Sequence, residues 1–122
     1  MLPTAALSLL GSPRRVELLR LTWTEELPAG AIHQGMPDVT FGAISLQLKQ
    51  LVDAGLMETR AEGRNRYYRA DRKALAPMAK MLEAMWSDAL WQLKLAAELE
   101  QSRRGPKPHS KQPKTKKKVR PS

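Results

Sequence analysis

The spacing of apolar residues along this chain predicts a series of helices interrupted once by a β-hairpin. The clearest helix follows Thr40, a favourable N-cap residue, and Gly55 is placed to end it in a left-handed conformation. Its apolar residues recur at the spacing of one buried stripe. That stripe consists of Ile44, Leu48, Leu51 and Val52. The opposite side of the helix carries Phe41, Gly42, Ser45, Leu46 and Lys49.

Directly after this helix the pattern changes from helical to alternating. Met57, Thr59 and Ala61 alternate with charged residues, and Gly63 stands where a turn is expected. Residues 65 to 70 then form the returning strand, in which one of two adjacent tyrosines faces the core. The predicted tip of the hairpin carries Arg64, Asn65 and Arg66.

Three further helices are predicted ahead of these elements. Residues 1 to 10 indicate a short, largely buried helix closed by Gly11. Ser12 and Pro13 then start a Leu-rich helix, whose Arg14, Arg15 and Arg20 are expected to face outwards. A weaker pattern from Ala29 to Gln34 predicts a short third helix with Ile32 in the core.

From Asp71 to about Gln101 the pattern is helical again, with two adjacent apolar rows. A continuous helix of roughly thirty residues would be about 45 Å long, more than the preceding elements can cover. Part of it is therefore expected to pack on another chain. The first row contains Leu75, Met78, Leu82, Met85, Trp86, Ala89, Leu93 and Ala96, and the second contains Met81, Trp91, Leu95 and Leu99.

Composition supports one domain at residues 1–101 and a basic tail at residues 102–122. Residues 1 to 100 contain 12 basic and 12 acidic residues, whereas residues 101 to 122 contain 9 basic residues and no acidic ones. The proline- and lysine-rich tail has too few apolar residues to offset its ordering entropy and is expected to be disordered. Three roles stay open for it: a non-specific DNA anchor, a contact for RNA or another anionic surface, or a solubilising extension.

Several classes of function are disfavoured by the same composition. The chain has no cysteine, and His33 and His109 lack partners at ligand spacing, so we expect no metal site and no cofactor. It has no Ser-His-Asp set and no glycine-rich phosphate loop, so we do not expect an enzyme. A membrane span and a signal peptide are also not evident, which favours a cytoplasmic protein.

Three motifs stand at characteristic places in this order of elements. They are Ser12-Pro13-Arg14-Arg15, then Ile44-Ser45 with Leu48, Leu51 and Ala54-Gly55-Leu56, and finally Glu62-Gly63-Arg64 followed by Tyr67-Tyr68-Arg69. Over about residues 5 to 100 the chain thereby resembles the ArsR/SmtB family of winged helix-turn-helix repressors. The resemblance implies a mainly α fold with a small β-hairpin wing and a long C-terminal helix.

The resemblance also implies a homodimer joined through its first and last helices, and repressors of this kind are mostly released by an inducer. The dimer contacts are then expected at Leu2, Leu7, Leu10, Trp86, Leu90, Leu93 and Ala97. Metal-sensing members carry ligands on the short third helix or on the last helix, and this sequence lacks them. Metal sensing is therefore not carried over.

Double-stranded DNA is the expected partner, with the helix after Thr40 in the major groove. There Ser45 can meet base edges and Phe41 or Leu46 a thymine methyl, while Thr40 and Lys49 reach phosphates and Gly42 lies on the same face. Arginines at the hairpin tip suit phosphates or a narrow minor groove. The predicted wing contacts are Arg64, Asn65 and Arg66.

Two alternatives stay open. Phe41 and Leu46 can instead pack on neighbouring helices or form an apolar docking spot, which would make the protein a winged-helix interaction module whose tail binds an acidic partner. The methionines and tryptophans of the C-terminal region either fill the core and the dimer interface or line a pocket for a small apolar inducer.

Overall fold

The structure, a computed structural model, describes residues 4 to 104. They form six α-helices, one short 3-10 helix (Ala76–Met78) and a three-stranded antiparallel sheet. The helices are α1 (Thr4–Leu9), α2 (Pro13–Leu21), α3 (Ala29–Gly35), α4 (Phe41–Asp53), α5 (Ala79–Ser87) and α6 (Trp91–Arg104). The strands are β1 (Leu27–Pro28), β2 (Met57–Glu62) and β3 (Asn65–Ala70). The mainly α fold with a hairpin wing is thus confirmed.

Local capping signals set the ends of the helices on either side of the core. Ser12 accepts a hydrogen bond from the Arg15 backbone N–H at 3.4 Å, and Thr40 accepts one from Ala43 at 3.1 Å. Gly55, with φ 80°, follows α4, and the next backbone N–H, that of Leu56, donates to the Leu51 carbonyl at 2.9 Å. Both predicted N-caps and the glycine stop are confirmed.

The core lies between α2, α4 and the elements that cover them. Ile44, Leu48 and Leu51 of the predicted stripe are fully buried, and Val52 packs partly against the same cluster. Ile32 of α3 is also fully buried, as expected. The remaining fully buried apolar side chains include Leu18, Leu19, Met36, Leu56, Leu75 and Leu82.

The sheet has the strand order β1-β3-β2, and the hairpin β2–β3 has the register that a turn at Gly63 imposes. Glu62 pairs with Asn65, Thr59 pairs with Tyr68, and Gly63 has φ 63°. Strand β1 was not predicted; its Leu27 pairs with Tyr68 and its Pro28 with Tyr67. Two residues are too few for a recognisable alternating pattern, and proline is tolerated here because β1 is an edge strand.

The C-terminal region does not form the single helix that we expected to start at Asp71. Residues 72 to 75 form turns, Ala76–Met78 form a short 3-10 helix, and the α-helical part is divided into α5 and α6. The Asp88 side chain accepts from the Leu90 backbone N–H at 2.9 Å, and its carbonyl accepts from Trp91 N–H at 2.9 Å. This local turn rotates the side chains of α6 about the helix axis, relative to their positions in a continuous helix. As a result Trp91 and Leu95 of the second row are buried, whereas Leu93 of the first row is 66% exposed.

Two smaller expectations are corrected. Helix α1 is not largely buried, because Leu7 is 46% exposed, although Ala6 lies in the core. The arginines of α2 are half-buried rather than outward-facing, since their guanidinium groups find partners within the chain. Within residues 4 to 104, no helix is long and apolar enough to cross a membrane.

The boundary between domain and tail was predicted at residue 102, and α6 continues to Arg104. The rest of the tail, like Leu2, lies outside the described residues.

Candidate nucleic-acid interface

Helix α4 presents a continuous exposed face. Phe41 is 49% exposed and Leu46 is 58% exposed, with Gly42 and Lys49 also exposed and Ser45 half-buried between them. At 3.6 residues per turn these five positions span an arc of about 140°. All five predicted contacts of this helix therefore share one face, which we call the reading face, and Thr40 caps the helix at the same end as Phe41.

The two amide side chains in the middle of α4 turn towards α2 instead of outwards. Gln47 is buried, and with its amide oriented to satisfy its neighbours its oxygen accepts from Arg14 Nε at 3.0 Å and Nη2 at 2.7 Å. The Gln50 oxygen accepts from Arg15 Nη2 at 3.2 Å. Both amides thus attach α4 to α2, and neither forms part of the reading face.

Lys49 is the one cation of the reading face, and it is paired within the helix. Its Nζ lies 2.8 Å from Asp53 Oδ2, and this hydrogen bond, supported by the attraction between the two charges, raises the pKa of Lys49. Both side chains are well exposed, so the pair contributes little stability. Water or a phosphate can replace Asp53 as the partner of the ammonium group at small cost.

A groove separates the reading helix from the wing. It has a volume of about 370 Å³ and is open to solvent. Ser45 and Lys49 line one wall, and Thr59 and Arg66 line the other, where Arg66 Nη1 lies 3.5 Å from Thr59 Oγ1. The fold therefore brings predicted contacts of the helix and of the wing, which are distant in sequence, to the same groove.

The wing tip is exposed and basic. Arg64, Asn65 and Arg66 are all exposed, with Arg64 in the turn and the other two at the start of β3. Thr59, which sequence reasoning did not select, faces the groove because it alternates with Glu58 and Arg60 along β2. Its position could have been found from that alternation once the hairpin was assigned.

On the other side of the sheet the charges are paired. Arg60 hydrogen-bonds to Glu26, contacts Glu62 at 2.6 Å, and lies over the Tyr67 ring at 4.8 Å. The hydrogen bond from Arg60 lowers the pKa of Glu26. Tyr68, by contrast, packs against the core. Arg64 and Arg66 lie away from this paired side, at the tip of the wing and along the groove.

The terminal elements also expose apolar side chains, which we call the terminal apolar residues. Leu7 on α1, Leu90 in the turn before α6, and Leu93 on α6 are all at least 46% exposed, and Ala97 is exposed on α6. Leu10 and Trp86 are only partly exposed, because both pack against the chain's own core. The Trp86 ring meets Trp23 edge-on, with ring centroids 5.1 Å apart.

The C-terminal methionines and tryptophans mostly fill the core. Met78, Met85 and Trp86 pack against the buried cluster, and Trp91 is buried with its indole N–H donating to Glu17 at 3.0 Å. Met81 is half exposed. Packing therefore accounts for most of this set. Among residues 4 to 104, no three His, Asp or Glu side chains come together as metal ligands would.

No protein-family model and no curated protein matches this chain. Solved structures do match it. One is the homodimeric winged helix-turn-helix DNA-binding domain of a possible ArsR-family regulator from Mycobacterium bovis, with a TM-score of 0.60 and 26% identity, covering 70% of this chain and 79% of that chain.

Two further solved structures are similar over most of their length. A possible transcriptional regulator for arsenical resistance is 32% identical, with a TM-score of 0.57, covering 75% of this chain and 94% of that chain. The transcriptional repressor BigR from Xylella fastidiosa is 25% identical, with a TM-score of 0.58 and coverage of 68% and 81%. The regulator for arsenical resistance is 32% identical over 75% of this chain and has the same fold. The chain therefore belongs to the ArsR family of winged helix-turn-helix transcriptional regulators.

Proposed function

We propose that this protein is a homodimeric, sequence-specific regulator of transcription that binds double-stranded DNA through α4 and the wing. The observation that carries the proposal is the groove in which Ser45 and Lys49 of the helix face Thr59 and Arg66 of the wing. An α-helix fits the major groove of B-form DNA, and cations on both walls of such a groove suit the adjoining phosphates.

Dimerisation supplies the second reading helix. Leu7, Leu90 and Leu93 are large apolar side chains left exposed on the terminal elements, and contact with a second copy would remove them from water. The M. bovis relative is described as a homodimer. Two copies joined in this way would present two α4 helices to successive major grooves of a pseudo-palindromic site.

The test begins with selection of bound fragments from random duplex DNA by the full chain, followed by titration of the enriched duplex at several salt concentrations. Arg64→Ala and Lys49→Ala should each weaken binding to most sequences and reduce the slope of log K against log salt by about 1. Ser45→Ala should instead change the preference at particular base pairs.

Lys80→Ala is the matched control. It removes an exposed cation of α5, and Lys80 does not line the groove. It should leave affinity and salt slope nearly unchanged. Equal effects of Lys49→Ala and Lys80→Ala would contradict the assigned surface, and failure to enrich any duplex would contradict sequence-specific binding itself.

We further propose that the protein represses and that it does so without metal. BigR, one of the similar structures, is described as a repressor, and this chain has no cysteine to act as a thiolate ligand. A reporter whose promoter overlaps the enriched site should be silenced by the protein. Affinity for that site should be the same in EDTA and in added zinc.

A small-molecule inducer belongs to the same proposal. A cavity of about 380 Å³ between α2, α6 and the segment joining α3 to α4 is within the size range of ligand sites. Compounds that lower operator affinity should lose this effect in Ala96→Trp, which places a large ring in the cavity wall. An unchanged effect in that variant would exclude this cavity as the inducer site.

The second candidate function is a winged-helix interaction module, which is favoured by the exposure of Phe41 and Leu46. It predicts that binding to duplex DNA depends only on the basic tail. A titration of the protein with and without residues 103 to 122 separates the two: the regulator retains sequence preference without the tail, whereas the interaction module loses duplex binding altogether. Preference for RNA over duplex DNA of equal length would instead favour RNA binding by the tail.

A further inference from the structure

The reading face has an unusual chemistry for a helix that contacts DNA. Of the side chains on α4 that suit hydrogen bonding to bases, Gln47 and Gln50 are held by arginines of α2. Lys49, whose exposed pair with Asp53 is easily exchanged, is assigned to a phosphate in the proposed function, and phosphates carry no sequence information. Only the Ser45 hydroxyl remains for this purpose, and it is half-buried. The large accessible side chains are the apolar Phe41 and Leu46.

Gly42 adds a second, independent observation. A Cβ placed at this position would meet no heavy atom within 4 Å, so packing within the chain does not require a glycine there. Glycine is nonetheless a poor helix former compared with alanine. The missing side chain leaves the backbone open between Phe41 and Leu46, where an external partner can approach closely.

We propose that the reading helix recognises its operator chiefly through the C5-methyl groups of thymines, contacted by Phe41 and Leu46 on either side of Gly42. The inference rests on the proposed function and specifies how it is carried out. The thymine methyl is the apolar feature that the natural base pairs present in the major groove, and it is therefore the partner that an apolar reading face can distinguish.

The charges around this face support duplex DNA as its occupant. Lys49 of the reading face and Arg66 of the wing line the groove, and Arg64 lies at the wing tip; all three are cationic and exposed. The apolar side chains of α4 would lie in the major groove, and the neighbouring cations would contact the phosphates that border it. The cations position the helix, and the apolar pair supplies the sequence preference.

The test replaces thymines by uracil, one position at a time, in the duplex enriched by selection. Uracil lacks only the methyl group and keeps the same hydrogen-bonding edge. At the thymines that face Phe41 or Leu46, affinity should fall about fourfold, the factor that corresponds to burying one such carbon group. Leu46→Ala should remove the preference for thymine over uracil at one position and Phe41→Ala at another.

Two matched variants separate this role from general effects. Met81→Ala removes a half-exposed apolar side chain of α5, outside the reading face, and should leave every thymine-to-uracil ratio unchanged. Lys49→Ala should weaken binding to the thymine and the uracil duplexes by the same factor. Circular dichroism of the Phe41 and Leu46 variants checks that both still fold, as the exposure of these side chains leads us to expect.

The outcomes distinguish this inference from the proposed function. If a duplex is enriched and bound with sequence preference but no uracil substitution weakens binding, methyl recognition is overturned and the regulator remains. Losses that persist unchanged in both the Phe41 and Leu46 variants also overturn it. If no duplex is enriched, the proposed function fails, and this inference fails with it.

Discussion

The buried carboxylate of Glu17 offers a direct test of how α6 is attached to the rest of the fold. Glu17 is 2% exposed and accepts from Arg20 at 2.8 and 2.6 Å, and from the Trp91 indole at 3.0 Å. The hydrogen bonds from Arg20 to Glu17 raise the pKa of Arg20. Glu17 therefore joins α2 to the first residue of α6, and Glu17→Ala removes that connection.

The expected loss can be estimated from these contacts. A buried indole N–H without an acceptor costs about 1–3 kcal/mol, and loss of charged hydrogen bonds adds about 1 kcal/mol. Breaking a buried ion pair often costs more, but the Arg20 side chain is 38% exposed and can turn to water. We expect Glu17→Ala to lower the free energy of unfolding by about 3 kcal/mol, a large share of the roughly 5–15 kcal/mol typical of a domain.

The assay is urea unfolding followed by circular dichroism, at one protein concentration because the stability of a dimer depends on it. Glu83→Ala is the matched control. Glu83 accepts from the Trp23 indole at 3.0 Å, and although Trp23 is buried, Glu83 itself is exposed, so water can replace its carboxylate as the acceptor and its loss should cost about 1 kcal/mol or less. Glu17→Gln, which keeps an acceptor for Trp91, should fall between the two. Losses for Glu17→Ala and Glu83→Ala that agree within about 0.5 kcal/mol would refute the reasoning, because burial would then make no difference.

Three further predictions concern the reading face, the terminal apolar residues and the paired side of the wing. Gly42→Ala should raise the free energy of unfolding by up to about 1 kcal/mol while lowering affinity for the enriched duplex; equal or higher affinity would show that no partner approaches this position. Leu93→Lys should give a monomer at micromolar concentration in sedimentation equilibrium, with helix content retained, whereas Gln92→Lys, which adds the same charge on the same helix, should not. The pKa of Glu26 is lowered from 4.5, chiefly by the hydrogen bond from Arg60. The pairing of Glu26 therefore contributes its full stability above pH 4.5, and this contribution is lost as the pH falls through the lower pKa of the folded state. Glu26→Gln should therefore flatten the fall in stability on the acid side in urea titrations, and an unchanged acid limb would contradict the pairing.

The sequence by itself determined the features that depend on neighbouring residues. Thr40 starts α4 because its hydroxyl accepts from a backbone N–H three residues on, and Gly55 ends the helix because it adopts a left-handed conformation. Gly63 sets the register of the wing in the same local manner. Such signals act through hydrogen bonds within a few residues, so they can be recognised before any tertiary contact is known.

Tertiary structure decided the features that depend on which element lies opposite. The sequence around Gln47 and Gln50 would read the same whether these side chains faced DNA or α2. They turn inwards because Arg14 and Arg15 lie opposite them. Strand β1 exists because β3 offers it a partner. These pairings join residues that are far apart in sequence, and periodicity does not report them.

The C-terminal region shows both effects in one segment. The helical spacing correctly predicted α-helical structure from Ala79 onwards, although not from Asp71. Asp88, a residue that competes for backbone hydrogen bonds, was the available signal for the break between α5 and α6. Which apolar row faces the core was decided by packing, because α6 presents Trp91 and Leu95 to α2 and the core, and leaves Leu93 outside. Local chemistry thus determined where elements begin and end, whereas non-local contacts determined which faces remain open to a partner.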